Sequence, residues 1–246
     1  MLVNNLHTNI LDYGQGKKTI LLLHGWGGSS ASMLVIGNDL SSKYRVIIPD
    51  LWGFGKSQTP PSNFGIYDYA DCVANLLLQK GLSDVIVVGH SFGGRIGIIL
   101  ASKYKQLVSR LILIDSAGAK PRFSLIKYLK IKRYKHIKRQ VQNGQRPKSD
   151  LKKFGSADYL ALNEDMKEVF VRVVNQHLND LFGQILQPTL ILWGKKDNQT
   201  PLYMAKLLHK QIKCSKIILI KGGHFAYIKQ KAKVLESIYQ FLECEE

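Results

Sequence analysis

The sequence predicts an α/β fold: one mostly parallel sheet of seven or eight strands, flanked by helices. Three observations predict it. Short runs of Val, Ile and Leu recur at Thr19–Leu23, Tyr44–Ile48, Val85–Gly89, Leu111–Asp115, Thr189–Trp193 and Lys216–Ile220. Helix-like stretches fall between these strands, at roughly 30–42, 66–80, 92–104, 201–212 and 231–243. The runs are also apolar nearly throughout rather than alternating, as in strands covered on both faces. Strands and helices alternating in this way imply parallel pairing with right-handed crossovers.

Taken in order, Leu6–Asp12 supplies an N-terminal, antiparallel strand ahead of the turn Gly14-Gln15-Gly16. Thr19–Leu23 leads into His24-Gly25-Trp26-Gly27-Gly28, and Tyr44–Ile48 leads toward Asp50-Leu51-Trp52-Gly53-Phe54-Gly55-Lys56-Ser57. Val85–Gly89 runs into Gly89-His90-Ser91-Phe92-Gly93 and then a helix. After Asp115 the rhythm stops, and no strand pattern returns until Thr189. Lys120–Val141 reads as a helix, Asn143-Gly144-Gln145-Arg146-Pro147 as a break, and Met166–Phe182 as a second amphipathic helix. The chain therefore divides into a core of residues 1–118 and 188–246 and a helical cap inserted at 119–187. The cap is expected over the carboxyl edge of the sheet, where ligand crevices of open α/β sheets lie. The last two strands lead into Gly194-Lys195-Lys196-Asp197 and Gly222-Gly223-His224.

Composition bounds the rest. With 246 residues, 45% of them hydrophobic, the chain can fill one large core. No apolar run approaches the roughly 18–20 residues that span a bilayer. The N-terminus has no basic segment followed by an apolar one, so a cytoplasmic location is expected. Cys72, Cys214 and Cys244 are far apart and form no C-x-x-C pair, which signals neither zinc nor redox chemistry. Cys72 and Cys214 are expected as packing residues and Cys244 as an exposed tail thiol. The net charge of +17 is concentrated: residues 119–153 hold 13 Lys or Arg and one acid, Asp150. No nucleic-acid-binding module accompanies that charge.

The pentapeptide Gly89–Gly93 is G-x-S-x-G in the context that gives it meaning, between a strand and a helix. The glycines permit a strained turn that lifts the serine hydroxyl above the sheet. There it meets the positive end of the next helix, which favours developing negative charge.

These motifs, in this order, make the chain resemble the α/β-hydrolase superfamily from about residue 15 to the C-terminus, least so in the cap. The resemblance implies a serine-nucleophile, esterase-like member. It places the nucleophile at Ser91, the triad acid at Asp197 and the base at His224, with oxyanion donors at the backbone N–H groups of Trp26 and Phe92. Asp115 is a rival acid, because some relatives place the acid after the preceding strand. The side chains of Trp26, Phe92 and Phe225 are expected to line the substrate pocket. His24 and Asp50 are expected to hold their loops, as are Lys56 and Ser57. Arg95 is expected to anchor its helix through a salt bridge, and His90 to point away from the nucleophile. No metal or organic cofactor is required.

Several functions are compatible with this pattern. The first is hydrolysis of carboxylic esters of small or medium acyl substrates. A second is carbon–carbon hydrolysis of the meta-cleavage-product type, although those enzymes usually have Asn before the serine and Trp after the histidine, where this chain has His90 and Phe225. A third is hydrolysis of acyl-carrier-protein esters, with Lys127, Lys130, Arg133, Lys135, Lys138 and Arg139 of the basic cap docking an acidic carrier. The same cations also suit an anionic lipid surface. A non-enzymatic ligand receptor that keeps the triad is the remaining alternative. Dehalogenases and epoxide hydrolases of this fold use an aspartate where Ser91 stands, and are set aside.

Overall fold

The computed structural model describes residues 1–155 and 157–243. In chain order, its strands and helices begin with β1 (Leu2–Val3), β2 (Leu6–His7), β3 (Ile10–Tyr13), β4 (Thr19–Leu23), α1 (Ser30–Leu40) and β5 (Arg45–Pro49). Then come α2 (Ile66–Gln79), β6 (Val85–His90), α3 (Phe92–Lys103) and β7 (Val108–Ile114). The insert between β7 and β8 carries α4 (Leu125–Gln142), a 3-10 turn at Lys148–Phe154, α5 (Ala157–Leu160), α6 (Glu164–Asn175) and α7 (Asn179–Phe182). β8 (Thr189–Gly194), α8 (Leu202–Gln211), β9 (Ser215–Ile220), α9 (Ala226–Lys229) and α10 (Lys231–Glu243) complete the fold.

The main sheet has seven strands in the order β3-β5-β4-β6-β7-β8-β9. All pairs are parallel except β3 with β5, where Ile10 faces Pro49 and Tyr13 faces Val46. Alternate residues of each strand supply two cores. Leu21, Val87, Leu113 and Ile191 pack with α2, α3 and α8, while Leu22, Val88, Ile112 and Leu192 pack with α1 and α10. β4, β6 and β8 are buried along their whole length, which is why they read as unbroken apolar runs. From β4 the chain crosses to β5 on one side, then returns to place β6 on the other. A crevice therefore opens at the carboxyl ends of β4 and β6, the switch point of the sheet. No helix among the described residues is long and apolar enough to cross a membrane.

Four local expectations are corrected. The single strand expected at Leu6–Asp12 is two. Asn4 and Asn5 adopt left-handed φ of 49° and 63° and turn β1 onto β2 as a small hairpin, while only β3 joins the main sheet. The helix expected from Lys120 begins at Leu125: Pro121 has no N–H, and those of Lys120 and Arg122 bond to Asn179 Oδ1 at 2.8 Å and the Tyr203 hydroxyl at 3.0 Å. The helix expected over Met166–Phe182 is broken into α6 and α7. Asn163 caps α6 by accepting from the Met166 N–H, and the Val173 and Gln176 carbonyls at its far end turn to Arg95. Cys72 is buried as expected, but Cys214 is exposed in the turn between α8 and β9. Cys244 lies outside the described residues.

Candidate active site

Ser91 stands between the end of β6 and the first turn of α3, with φ 50° and ψ −107°. A left-handed φ at a non-glycine residue costs roughly 1–3 kcal/mol and persists only where neighbours over-determine it. Here they do. The Ser91 N–H donates to the Ile114 carbonyl, and the Ser91 carbonyl accepts from the Gly94 and Ala117 N–H groups. A Cβ at Gly93 would run into the Leu23 carbonyl oxygen at the end of β4, so the turn closes only with glycine there. The serine side chain is partly exposed above the sheet.

His224 follows β9 and Asp197 follows β8. His224 Nε2 lies 2.9 Å from Ser91 Oγ, and His224 Nδ1 lies 2.8 Å from Asp197 Oδ2. The three residues expected from the sequence therefore form one continuous relay. Asp197 Oδ1 accepts from the Gln199 and Thr200 N–H groups at 2.7 and 3.0 Å, and Oδ2 from the Thr200 hydroxyl at 2.6 Å. Burial works against the charge on Asp197, but the bonds from His224 and Thr200 outweigh it and hold the carboxyl below its usual range.

The rival acid is elsewhere engaged. Asp115, at φ 44°, is fully buried. Its Oδ1 accepts from the Gly194 N–H at 2.7 Å, and its Oδ2 has no hydrogen-bond partner among the described residues. Burial, reinforced by the nearby Asp197 charge, pushes its carboxyl up to about 8, against the lowering effect of the Gly194 N–H. The Nδ1 of His224 is taken by Asp197 Oδ2, and Asp115 is bonded to the backbone of Gly194 instead.

The His24–Gly25 loop lies against the nucleophile: a Cβ on Gly25 would sit 3.5 Å from Ser91 Cβ. The Gly93 N–H donates to the His24 carbonyl at 3.1 Å and ties that loop to the turn. The Phe92 N–H is the first of α3 and has no intrahelical acceptor. His24 is structural: Nδ1 meets the Gly25 carbonyl at 2.8 Å and Nε2 accepts from the Leu51 N–H at 2.9 Å. Burial holds it neutral, down to about 4. Asp50 caps the neighbouring loop through the Ser30 and Lys56 N–H groups, and its carbonyl accepts from the Ser57 hydroxyl.

Aromatic rings cluster on the loop that lies against Ser91. The Trp26 ring meets Phe54, Phe92 and Phe170 at 4.9, 5.1 and 5.1 Å, all edge-on. Phe170 belongs to α6, so the insert reaches down onto this loop. Phe92 is buried by its neighbours, which leaves Trp26 as the more accessible ring of the pair. Phe225 does not join this cluster. It is 53% exposed and packs on His90 and His224 at 5.5 and 5.3 Å. A surface cleft of about 750 Å³ lies along α6, between Tyr159, Glu168 and Arg172, and is lined by none of Ser91, Asp197 and His224.

Three supports were not legible in advance. Thr200 braces Asp197; its only signal was its place three residues after the acid, where a side-chain-to-backbone turn forms. His90 packs its ring 4.9 Å from that of His224, and its Nε2 lies 2.9 Å from the His224 carbonyl, which steadies the base's loop. Among the described residues no carboxylate forms a salt bridge with Arg95. Its Nη1 donates to the carbonyls of Val173 at 3.0 Å and Gln176 at 2.7 Å, which pins the end of α6 to α3.

The family model described as "alpha/beta hydrolase fold" matches residues 18–135. A thermophilic esterase from Thermogutta terrifontis superposes with a TM-score of 0.75 over 96% of this chain and 93% of that one, at 24% identity. The chain has the α/β-hydrolase fold. Among curated relatives, it is 29% identical to Lipase 1 of Psychrobacter immobilis, covering 85% of this chain and 72% of that one. It is 26% identical to the 2-hydroxy-6-oxo-2,4-heptadienoate hydrolase of Pseudomonas putida, covering 100% and 96%.

Proposed function

We propose that this α/β-hydrolase-fold protein is a serine hydrolase that cleaves carboxylic esters of small or medium acyl substrates. The observation that carries the reading is the unbroken relay from Asp197 Oδ2 through His224 to Ser91 Oγ, with links of 2.8 and 2.9 Å. In this reading His224 Nε2 takes the Ser91 proton as Oγ attacks the acyl carbon. The Nδ1–H stays on Asp197, whose charge stabilises the imidazolium. The negative oxygen of the tetrahedral intermediate is received by the N–H groups of Trp26 and Phe92, at the positive end of α3. The leaving alkoxide takes the proton from His224. Water, deprotonated by the same nitrogen, then attacks the acyl-enzyme and releases the acid and Ser91.

The apolar cluster of Trp26 and Phe170 suits an acyl chain better than a charged head. The likeness to a lipase supports ester chemistry. The match to a heptadienoate hydrolase, which is longer than that to the lipase, keeps carbon–carbon cleavage as the second reading. One panel separates them: p-nitrophenyl esters of increasing acyl length, an acyl thioester and a 2-hydroxy-6-oxo-dienoate, each measured against Ser91→Ala. Turnover of the esters and not the dienoate is expected. The reverse preference would overturn the ester assignment and leave the serine mechanism standing.

A further inference from the structure

None of the chemistry above uses α4, yet α4 is the most unusual surface of the molecule. Its second half is held down: Ile137 is buried, and Tyr134 rests on Phe154 with ring centroids 5.7 Å apart. Its first half is not. Leu125, Ile126 and Leu129 are 62%, 72% and 55% exposed, and Phe123, just ahead of the helix, is 80% exposed. At spacings of i, i+1 and i+4 the three aliphatic residues share one stripe of the helix surface. Lys132 and Lys130 border that stripe on either side, and Arg133 lies one turn along it.

The charge is equally one-sided. No acid occurs between residues 119 and 149. Lys130, Lys132, Arg133, Lys135, Lys138 and Arg139 are exposed, and among the described residues no carboxylate lies within ion-pair distance of them. Some lysines elsewhere find acids, as Lys43 does with Glu243, Lys80 with Asp12 and Lys231 with Asp39. A helix face meant only for water has no need of three large apolar groups with a fourth just ahead of it. A nucleic acid would take the cations and leave the apolar stripe wet. An acidic protein would need a groove matched to it. A bilayer surface with anionic headgroups offers a diffuse negative layer and an apolar layer beneath it, with no shape requirement.

The helix is also placed for this. The Arg122 N–H bonds to the Tyr203 hydroxyl, and its guanidinium stacks 4.4 Å over that ring. Tyr203 lies in the first turn of α8, directly after the Asp197 loop. The exposed end of α4 is thereby fixed to the carboxyl edge of the sheet, the edge that carries Ser91, Asp197 and His224.

We propose that α4 is a membrane-surface helix: Phe123, Leu125, Ile126 and Leu129 enter the headgroup region of an anionic bilayer while the flanking cations bind its charged headgroups. The catalytic edge then faces the membrane, and substrates arrive from that side. Each basic residue near an anionic leaflet is worth about fivefold in affinity.

The test is co-sedimentation of the full chain with vesicles of phosphatidylcholine alone, or mixed roughly two to one with phosphatidylserine. Binding is expected to the mixed vesicles only. Reversal of four charges (Lys130→Glu, Lys132→Glu, Lys135→Glu, Lys138→Glu) is expected to weaken it by at least about 100-fold. Replacing Leu125, Ile126 and Leu129 with Ser should weaken it by at least about tenfold, with melting temperature and ester turnover in solution unchanged. In a Leu129→Trp variant, emission should shift to the blue on mixed vesicles, which reports insertion independently of the other variants. Three outcomes would overturn the proposal: no binding to mixed vesicles, binding that either set of substitutions leaves undiminished, or saturable binding to an acidic carrier protein or RNA with none to vesicles.

Discussion

Replacing Asp197 with Asn tests the relay at its most constrained point. Oδ1 receives two backbone N–H donors, from Gln199 and Thr200, and Oδ2 receives the Thr200 hydroxyl and His224 Nδ1. The two backbone donors fix which way an amide can sit. Its oxygen must occupy the Oδ1 position, so its NH2 group takes the Oδ2 position and faces His224. An NH2 group only donates, so Nδ1 must accept and the imidazole proton moves to Nε2. That tautomer cannot take the Ser91 proton. The Thr200 hydroxyl can turn to accept, so the fold should survive. A wrong tautomer of this kind costs about 10⁴-fold in kcat, or roughly 5 kcal/mol of transition-state stabilisation. The assay is turnover of a short-chain p-nitrophenyl ester, with circular dichroism to confirm folding. Activity within tenfold of wild type would refute the reasoning. So would a larger loss in Asp115→Asn, which would move the acid to the preceding strand.

Asp115 makes a second prediction, about stability. Its carboxyl is raised from 3.8 to about 8, so between those values the folded chain holds a proton the unfolded chain has lost. Stability present below pH 4 is therefore lost as pH rises through about 8. Asn does not titrate, so melting temperatures of Asp115→Asn should pull ahead of wild type between pH 5 and 9; a constant gap would contradict this. Arg95→Met leaves the Val173 and Gln176 carbonyls without their charged donor and should cost about 2–4 kcal/mol in urea unfolding, with proteolysis at the end of α6 appearing first. A cost under about 1 kcal/mol would show that the latch is not structural. Gly93→Ala forces a methyl group against the Leu23 carbonyl oxygen and is expected to cost about 1–3 kcal/mol and most of the turnover of whichever substrate the wild-type chain accepts. A fully active variant would mean that the turn has room to spare.

How much of this was written in the chain follows from the range of each interaction. The sheet was legible because β4, β6 and β8 are covered on both faces, so burial leaves its mark on consecutive residues. Ser91, Asp197 and His224 were legible because each follows a strand end and sits in a motif of neighbouring residues. The hairpin at Asn4-Asn5 does carry a local signal, since two Asn residues tolerate the left-handed φ that the turn requires. The remaining misses are long-range. Nothing near Arg95 in sequence indicates that its partners are carbonyls about 80 residues away, or that those carbonyls would end α6 early. His90 likewise reaches the His224 carbonyl 134 residues on. The insert is the least local part of the fold. Its helices are set by contacts with the core, as Phe170 has with Trp26, and by single backbone bonds such as that of Arg122 to Tyr203.

The central claim is that Ser91 is an activated nucleophile, and a fluorophosphonate probe tests it most directly. Intact-protein mass spectrometry should show one adduct on the wild-type chain, mapped by proteolysis to the peptide carrying Ser91. Ser91→Ala should show none, and Asp197→Asn should label far more slowly. A folded wild-type protein that stays unlabelled, or an adduct that persists in Ser91→Ala, would contradict the account.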